Sequence, residues 1–207
     1  MAEKSSLVLE SSRLLLRPFE HGDLPAFFKI FSDSAANRFL PWFPLKSMEE
    51  AELFWRERYA LSGPGAGGYH YAVCLREDNR PIGYVNLGTG GAYDLGYGLL
   101  EEFWHRGIMT EACRAVVRRA AQDGIPYVTA THDRQNPLSG RVMVRLGMRY
   151  CYSYEEQWQP KDFPVVFRLY QLNLDGQAGR VYEGYRQAEG ARWFVEQNVP
   201  TAQGSLL

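Results

Sequence analysis

At 207 residues the chain is long enough for one domain with a tail or for two small ones, against a usual domain size of about 100 to 200 residues. Apolar residues make up 45% and charged residues 23%, close to globular averages, which excludes disordered and fibrous classes. Lys and Arg total 23 against 24 for Asp and Glu, so the net charge of -1 offers no field to gather a polyanion, and nucleic acid is not an expected partner.

No apolar run approaches the roughly 18 residues of a membrane helix, and the opening MAEKSSLVLESSR has its apolar stretch broken by Glu10 and Arg13, so it does not read as a signal peptide. A cytoplasmic protein without a membrane partner is the expectation. Cys74, Cys113 and Cys151 are odd in number and widely spaced, and the histidines show no ligand spacing; neither a disulfide framework nor a metal site is expected.

In chain order, Arg13 to Phe19 (RLLLRPF) reads as a strand that ends at Pro18 and the turn His21, Gly22, Asp23. A helix follows, with Leu24, Phe27, Phe28 and Phe31 spaced by three and four. Ser47 to Leu61 reads as a second helix with Ser47 at its N-cap. GPGAGG, from Gly63 to Gly68, breaks the pattern as a flexible surface loop. Tyr69–Arg76, Pro81–Leu87 and Tyr93–Leu100 are strand candidates, the first two joined as a hairpin. Met109, Ala112, Cys113, Val116, Val117 and Ala120 form the apolar stripe of a helix that Gly124 ends, with Cys113 in the core and Arg114, Arg118 and Arg119 on the solvated face. Tyr127–Thr131 alternates as a strand. Asn136, Pro137 and Gly147 then bracket a short helix by N-cap, first position and stop. Met148–Tyr154 and Val165–Leu174 are the last strands, and a helical extension is expected over 175–207, packing on the domain or on a second subunit of a homodimer. The alternation predicts an α+β domain over 1–174.

Two segments carry the chemistry. Gly96 and Gly98 inside a strand mark a bulge or a close approach to the backbone. Immediately beyond, Arg106 and Gly107 open the strongest helix; its first turn offers unpaired amides and a positive dipole end to an anion such as a pyrophosphate. The second segment is NPLSGRVMVRLGM, where Asn136 and Ser139 share a helix start within reach of a ligand along the sheet edge. Gly140 inside that helix costs about 1 kcal/mol relative to Ala, which a close approach by ligand or backbone would explain. Trp42, Phe43, Trp55 and Tyr71 are candidates for an acceptor pocket, and Arg141 or Arg145 for a terminal phosphate.

GYGLL, WHRGIMTEA and NPLSGRVMVRLGM together resemble the acetyl-CoA site of the GNAT N-acetyltransferase superfamily, and RLLLRPF and PIGYVNLG resemble its RimJ/RimL-type branch, the ribosomal-protein acetyltransferases. The resemblance runs roughly from Ser11 to Leu174. It implies a strongly twisted, mostly antiparallel mixed sheet of about seven strands flanked by helices and splayed between the family's fourth and fifth strands. By resemblance, the backbone of Leu99 and Leu100 meets pantetheine, Arg106, Gly107, Ile108, Met109 and Thr110 form the pyrophosphate loop, and Asn136 touches the pantetheine arm. Ser139 stands near the sulfur. Met109 replaces a usual small residue and is expected to narrow the loop. Met143 stands where many relatives carry a tyrosine acid, which leaves Ser139 or a bound water to protonate the thiolate.

An ammonium acceptor must lose a proton before it attacks the thioester. Glu155 and Glu156 match the region of the RimL-like catalytic glutamate, and Asp94 at the start of the glycine-bearing strand is the rival. The resemblance implies acetyl-CoA as co-substrate and a protein N-terminus as acceptor. A small amine (polyamine, amino acid or antibiotic) and a non-catalytic acyl-CoA-binding module are the alternatives.

Overall fold

A computed structural model describes residues 8–60 and 68–202. The chain start and the GPGAGG loop before Gly68 lie outside the described residues. The chain forms two compact units: Met1–Arg38, Pro44–Thr89 and Gly96–Val116 in one, and Phe39–Phe43, Gly90–Leu95 and Val117–Leu207 in the other.

In the first unit, β1 (Leu9–Glu10), β2 (Leu14–Arg17), β3 (Gly68–Leu75), β4 (Pro81–Gly88) and β5 (Leu95–Leu99) follow one another across a sheet, the first four antiparallel. Helix α1 (Leu24–Ser32) turns Leu24, Phe27, Ile30 and Phe31 inward. Helix α2 (Met48–Arg58) starts where the Ser47 hydroxyl accepts from the Glu50 amide, and its last turn delivers Tyr59. The two helices cover one face of the sheet through an aromatic layer: Phe31 stacks on Tyr84 at 5.0 Å, Tyr59 meets His70 edge-on at 5.6 Å, and the Tyr59 hydroxyl accepts from Asn86 Nδ2 at 2.9 Å. Strand alternation puts His70, Ala72, Tyr84 and Asn86 on that covered face. Gly98 in β5 carries no side chain because a Cβ there would lie 2.5 Å from the Tyr84 ring. The close approach expected at this glycine is therefore that of a neighbouring ring.

Helix α3 (Ile108–Gln122) buries Ala112, Cys113, Val116, Val117 and Ala120, the expected stripe, and Gly124 follows it at φ +80. Burial pushes the Cys113 thiol far up, so this residue holds no thiolate at neutral pH.

The second unit holds β6 (Tyr127–Asp133), α4 (Pro137–Arg145), β7 (Arg149–Trp158), β8 (Phe163–Asn173), α5 (Gly184–Gln187) and β9 (Arg192–Phe194). Its sheet has the antiparallel order β6-β8-β7-β9, so the last long strand inserts between its predecessors. One face, with His132, lies against α4; the other carries Thr129 and Thr131 of β6, Leu169 and Phe167 of β8, and Tyr152 and Tyr154 of β7. The segment Gly90–Leu95, which leads into β5, also lies in this unit. Asp94 makes an isolated parallel bridge with Thr129, and the Thr129 amide donates to the Tyr93 carbonyl at 3.0 Å.

Among the described residues the short strands β1 and β9 extend the sheet edges beyond the seven longer ones. One expectation is corrected: residues 175–202 form no long helix and hold instead the four-residue α5 and β9. The physical reason lies in what this segment meets. β9 pairs with Ser153–Glu155 of β7, the Tyr152 hydroxyl donates to the Tyr182 carbonyl at 2.9 Å, and the Gln171 side chain accepts from the Tyr182 amide at 2.7 Å. These hydrogen bonds to an existing sheet take backbone groups that a helix would have used internally. Val181, Tyr182 and Tyr185 thereby pack on Tyr152, Tyr154 and Phe167 of their own chain.

Glu196 locks the segment down. It receives the Arg168 guanidinium at 3.0 and 2.7 Å and the Ser153 hydroxyl at 2.6 Å. The Arg168 hydrogen bonds, joined by Ser153 and opposed by burial, hold its carboxyl at about 2 instead of 4.5. A depressed carboxyl stabilises fully above its unfolded value and loses that contribution as pH falls through its folded one. Glu196→Gln should lower the melting temperature by a few degrees at pH 7, and the gap to the parent should close between pH 4.5 and 2; a constant gap across that range contradicts the clamp.

Candidate active site

The first unit supplies the start of α3. His105 and Gly107 both take positive φ, +61 and +74, and this double reversal ends a short turn so that the helix can begin at Ile108. A Cβ on Gly107 would meet only Arg13 Nη2 at 3.8 Å, so the glycine serves the backbone angle and leaves open space beside it. The Glu111 amide donates to the Gly107 carbonyl at 3.1 Å, the first bond of the helix, so the amides of Ile108, Met109 and Thr110 precede the helical ladder. Met109 is 7% exposed and counts among the buried apolar residues.

The sequence reading missed what holds this loop. Glu111 Oε1 accepts from the hydroxyls of Ser11 (2.7 Å) and Ser12 (3.0 Å) and from the Arg13 amide (3.1 Å), while Oε2 accepts from Arg13 Nε (2.8 Å). Arg13 Nη1 in turn donates to the Arg106 carbonyl at 3.0 Å. Burial alone would raise Glu111, but these donors outweigh it and hold the carboxyl at about 2. The signal was available only as two charged residues at the edges of separate motifs, nearly a hundred residues apart. At the end of β5, the Leu99 carbonyl accepts from the Trp104 indole at 2.8 Å and the Leu100 amide donates to Ile82 at 3.0 Å, which fixes the strand end that precedes the loop.

The second unit supplies the start of α4. Asn136 caps it, Oδ1 accepting from the Ser139 amide at 3.4 Å, with Pro137 in the first turn. Ser139 is half-buried, Arg141 exposed, and Met143 1% exposed, so no titrating group stands at the Met143 place. Gly140 has a different explanation from the expected ligand or backbone: a Cβ there would lie 2.7 Å from Nε2 of His132. That ring is fixed by Nδ1, 2.8 Å from the Asp133 carbonyl, and by Tyr170 at 5.5 Å. Burial keeps His132 below its usual range, hence neutral at pH 7.

The three candidate bases are placed differently. Glu155 lies opposite Arg192 in the β7–β9 pairing, with Oε2 3.2 Å from the guanidinium. Glu156 shares its face with Tyr154, and burial raises its carboxyl; the residue is exposed, which makes that push weak. Asp94 keeps partial exposure as a residue, yet Oδ1 is enclosed and has no hydrogen-bond partner among the described residues. The Thr129 hydroxyl beside it donates its proton to the Ala92 carbonyl at 2.8 Å. Burial, only partly opposed by Thr129, raises the Asp94 carboxyl to about 6.

Of the aromatic candidates in the first unit, Trp55 and Tyr71 lie on opposite sides of the sheet. Trp55 donates to the Phe19 carbonyl at 3.4 Å and meets His21, on the side of the sheet that α2 covers. Tyr71, buried, stands beside Tyr69 on the opposite face of β3. Trp42 and Phe43 belong to the second unit, Phe43 being largely exposed. Among the described residues no group of three or more His, Cys, Asp or Glu is arranged to hold a metal, and no helix is long and apolar enough to cross a membrane.

Residues 13–149 match the acetyltransferase (GNAT) domain family, and the chain belongs to that family. Among curated relatives, it is 26% identical to the uncharacterized N-acetyltransferase YnaD of Bacillus subtilis (strain 168) over 68% of this chain and 82% of the relative. Among solved structures, a GNAT-family acetyltransferase from Bacillus anthracis superposes with a TM-score of 0.69 at 23% identity, covering 81% of this chain and 99% of the other. A RimL ribosomal L7/L12 alpha-N-protein acetyltransferase solved with coenzyme A superposes with a TM-score of 0.70 at 21% identity, covering 81% and 98%. The fold is thus the GNAT fold, and the protein is an N-acetyltransferase.

The Gly140 contact gives a test of the packing at the start of α4. Gly140→Ala must displace a pinned ring and should cost about 1–3 kcal/mol, read by denaturant unfolding. Gly140→Ala combined with His132→Ala should recover most of that loss, and failure to recover would place the reason for the glycine elsewhere.

Proposed function

We propose that this N-acetyltransferase passes the acetyl group of acetyl-CoA directly to a primary amine, a protein N-terminus being the favoured acceptor, and that Asp94 is the base. The observation that carries this reading is the Asp94 carboxyl, raised to about 6 with one oxygen enclosed and unpartnered, in a chain whose family requires a group to deprotonate an ammonium. The acceptor class is supported by the likeness to a RimL ribosomal L7/L12 alpha-N-protein acetyltransferase and to an acetyltransferase from Salmonella typhimurium that modifies the N-terminal serine of ribosomal protein L7/L12.

When bound, acetyl-CoA supplies a thioester carbonyl open to attack by an amine. The residues present fit such a molecule. Ile108, Met109 and Thr110 offer amides at a positive helix end, and Gly107 adds no bulk. Arg106, whose guanidinium lies over the Phe103 ring at 5.6 Å, is a cation beside these amides, and the exposed Arg141 is a second cation. The family resemblance gives Leu99 and Leu100 the pantetheine arm as their ligand, Asn136 a contact with that arm, and Ser139 the return of a proton to the departing sulfur.

Asp94 takes the proton from the attacking ammonium. An α-amino group titrates near 8, about two units above Asp94, so the transfer is uphill by roughly 2.7 kcal/mol, a modest share of an enzymatic barrier. A carboxylate left in water near 4 would double that cost. Because the base acts deprotonated, kcat/KM should rise with pH through about 6. Asp94→Asn should remove that limb and lower kcat by about 100-fold or more while acetyl-CoA binding, followed by calorimetry, is unchanged. Glu155→Gln and Glu156→Gln should keep the limb. An Asp94→Asn enzyme with wild-type kcat assigns the proton to another group.

A further inference from the structure

We infer that Tyr185, which lies beyond the family match, is a specificity-determining residue of the acceptor site: stacked on Tyr154 beside Asp94, it forms an aromatic wall that selects a cationic amine. The inference rests on the reading of Asp94 as the base and adds the group that chooses what reaches it.

The placement follows from sheet register. Asp94 bridges Thr129; Thr131, two residues on, shares that face of β6 and lies in one row with Leu169 and Tyr152. Tyr154, the next residue on the same face of β7, hydrogen-bonds Thr131 and so reaches back toward β6. Tyr185 of α5 covers it, ring centroids 4.8 Å apart and planes 9° from parallel. Tyr182 meets Tyr185 edge-on at 5.2 Å and is itself held by Tyr152 and Gln171, so the wall is fixed to the sheet. Burial raises both phenols, and Asp94 and Glu156 each add to that rise, which puts the two carboxylates within electrostatic reach of the paired rings.

The other charges on α5 do not compete. Glu183 pairs with Arg186, whose guanidinium lies over Tyr152 at 5.3 Å and Trp193 at 4.9 Å. What remains toward Asp94 is a carboxylate oxygen without a donor among the described residues, within electrostatic reach of Tyr154 and Tyr185. An ammonium satisfies both: it donates a charge-assisted hydrogen bond to the oxygen and is attracted by the aromatic rings, and both interactions strengthen away from water. A neutral amine can donate only an uncharged hydrogen bond and gains no cation–π attraction. Nothing in residues 13–149 supplies Tyr185, so this selectivity belongs to the C-terminal segment.

The test measures thiol release from acetyl-CoA with a Ser-initiated peptide, spermidine, lysine amide and aniline, the last neutral at pH 7.5. It uses the full-length wild type, Tyr185→Phe, Tyr185→Leu and Asp94→Asn, with melting temperatures recorded for each. Tyr185→Leu should raise KM for the cationic acceptors about tenfold, leave KM for acetyl-CoA unchanged and narrow the preference over aniline, whereas Tyr185→Phe, which keeps the ring, should behave as wild type. Unaltered acceptor KM values in Tyr185→Leu, with Asp94→Asn inactive, overturn this inference alone. An active Asp94→Asn enzyme, or a wild type silent toward every amine, overturns the base assignment and the inference together. Equal loss in Tyr185→Phe and Tyr185→Leu, accompanied by lower melting temperatures and a raised KM for acetyl-CoA, identifies a structural role and also overturns it.

Discussion

Enclosing a carboxylate oxygen without giving it a donor is expensive, and the second unit does so at Oδ1 of Asp94. The parallel bridge to Thr129 places the side chain, and the neighbouring hydroxyl, already donating to Ala92, leaves Oδ1 unsatisfied. A purely structural position would be better filled by Asn or Thr, which meet the same backbone without a charge to desolvate. The cost becomes intelligible if the carboxyl must exchange a proton near neutrality. Burial then sets the affinity for that proton, and the hydrogen-bonded strands around it keep water from undoing the shift.

The surroundings are consistent with this. β8 inserts between β6 and β7 and provides the continuous ladder on which Thr129, Thr131, Tyr152 and Tyr154 share a face. Val181, Tyr182 and Tyr185 of the C-terminal segment pack on that face, held through the Tyr182 backbone, and beyond β9 Glu196 grips Arg168 and Ser153 on the other face. In the first unit a carboxylate meets the opposite surroundings: Glu111 is surrounded by donors, stays ionised, and holds the Arg13 side chain that donates to the Arg106 carbonyl. One carboxyl is raised and the other held low, and the difference lies in the donors each receives.

Helix periodicity in α1, α2 and α3, the Ser47 and Asn136 caps, and the stops at Gly124 and Gly147 were legible in the sequence because they depend on neighbours within a turn or two. The turn at Gly107 that precedes α3 was legible for the same reason. The roles of Gly98 and Gly140 were not, since each is set by an aromatic ring or imidazole brought in by another strand.

The sequence by itself determined the element order, the helix ends, the family and the two segments around Arg106 and Asn136, because local hydrogen bonding and hydrophobic spacing are written along the chain. Tertiary structure alone decided which carboxylate is enclosed, since Asp94, Glu155 and Glu156 are chemically alike until register places the first against Thr129 and the second across from Arg192. It also decided the course of residues 175–202, whose polar, helix-favouring composition yields to unsatisfied sheet edge and exposed tyrosines elsewhere in the unit. Burial and strand pairing are properties of distant segments meeting, and no reading of one segment contains them.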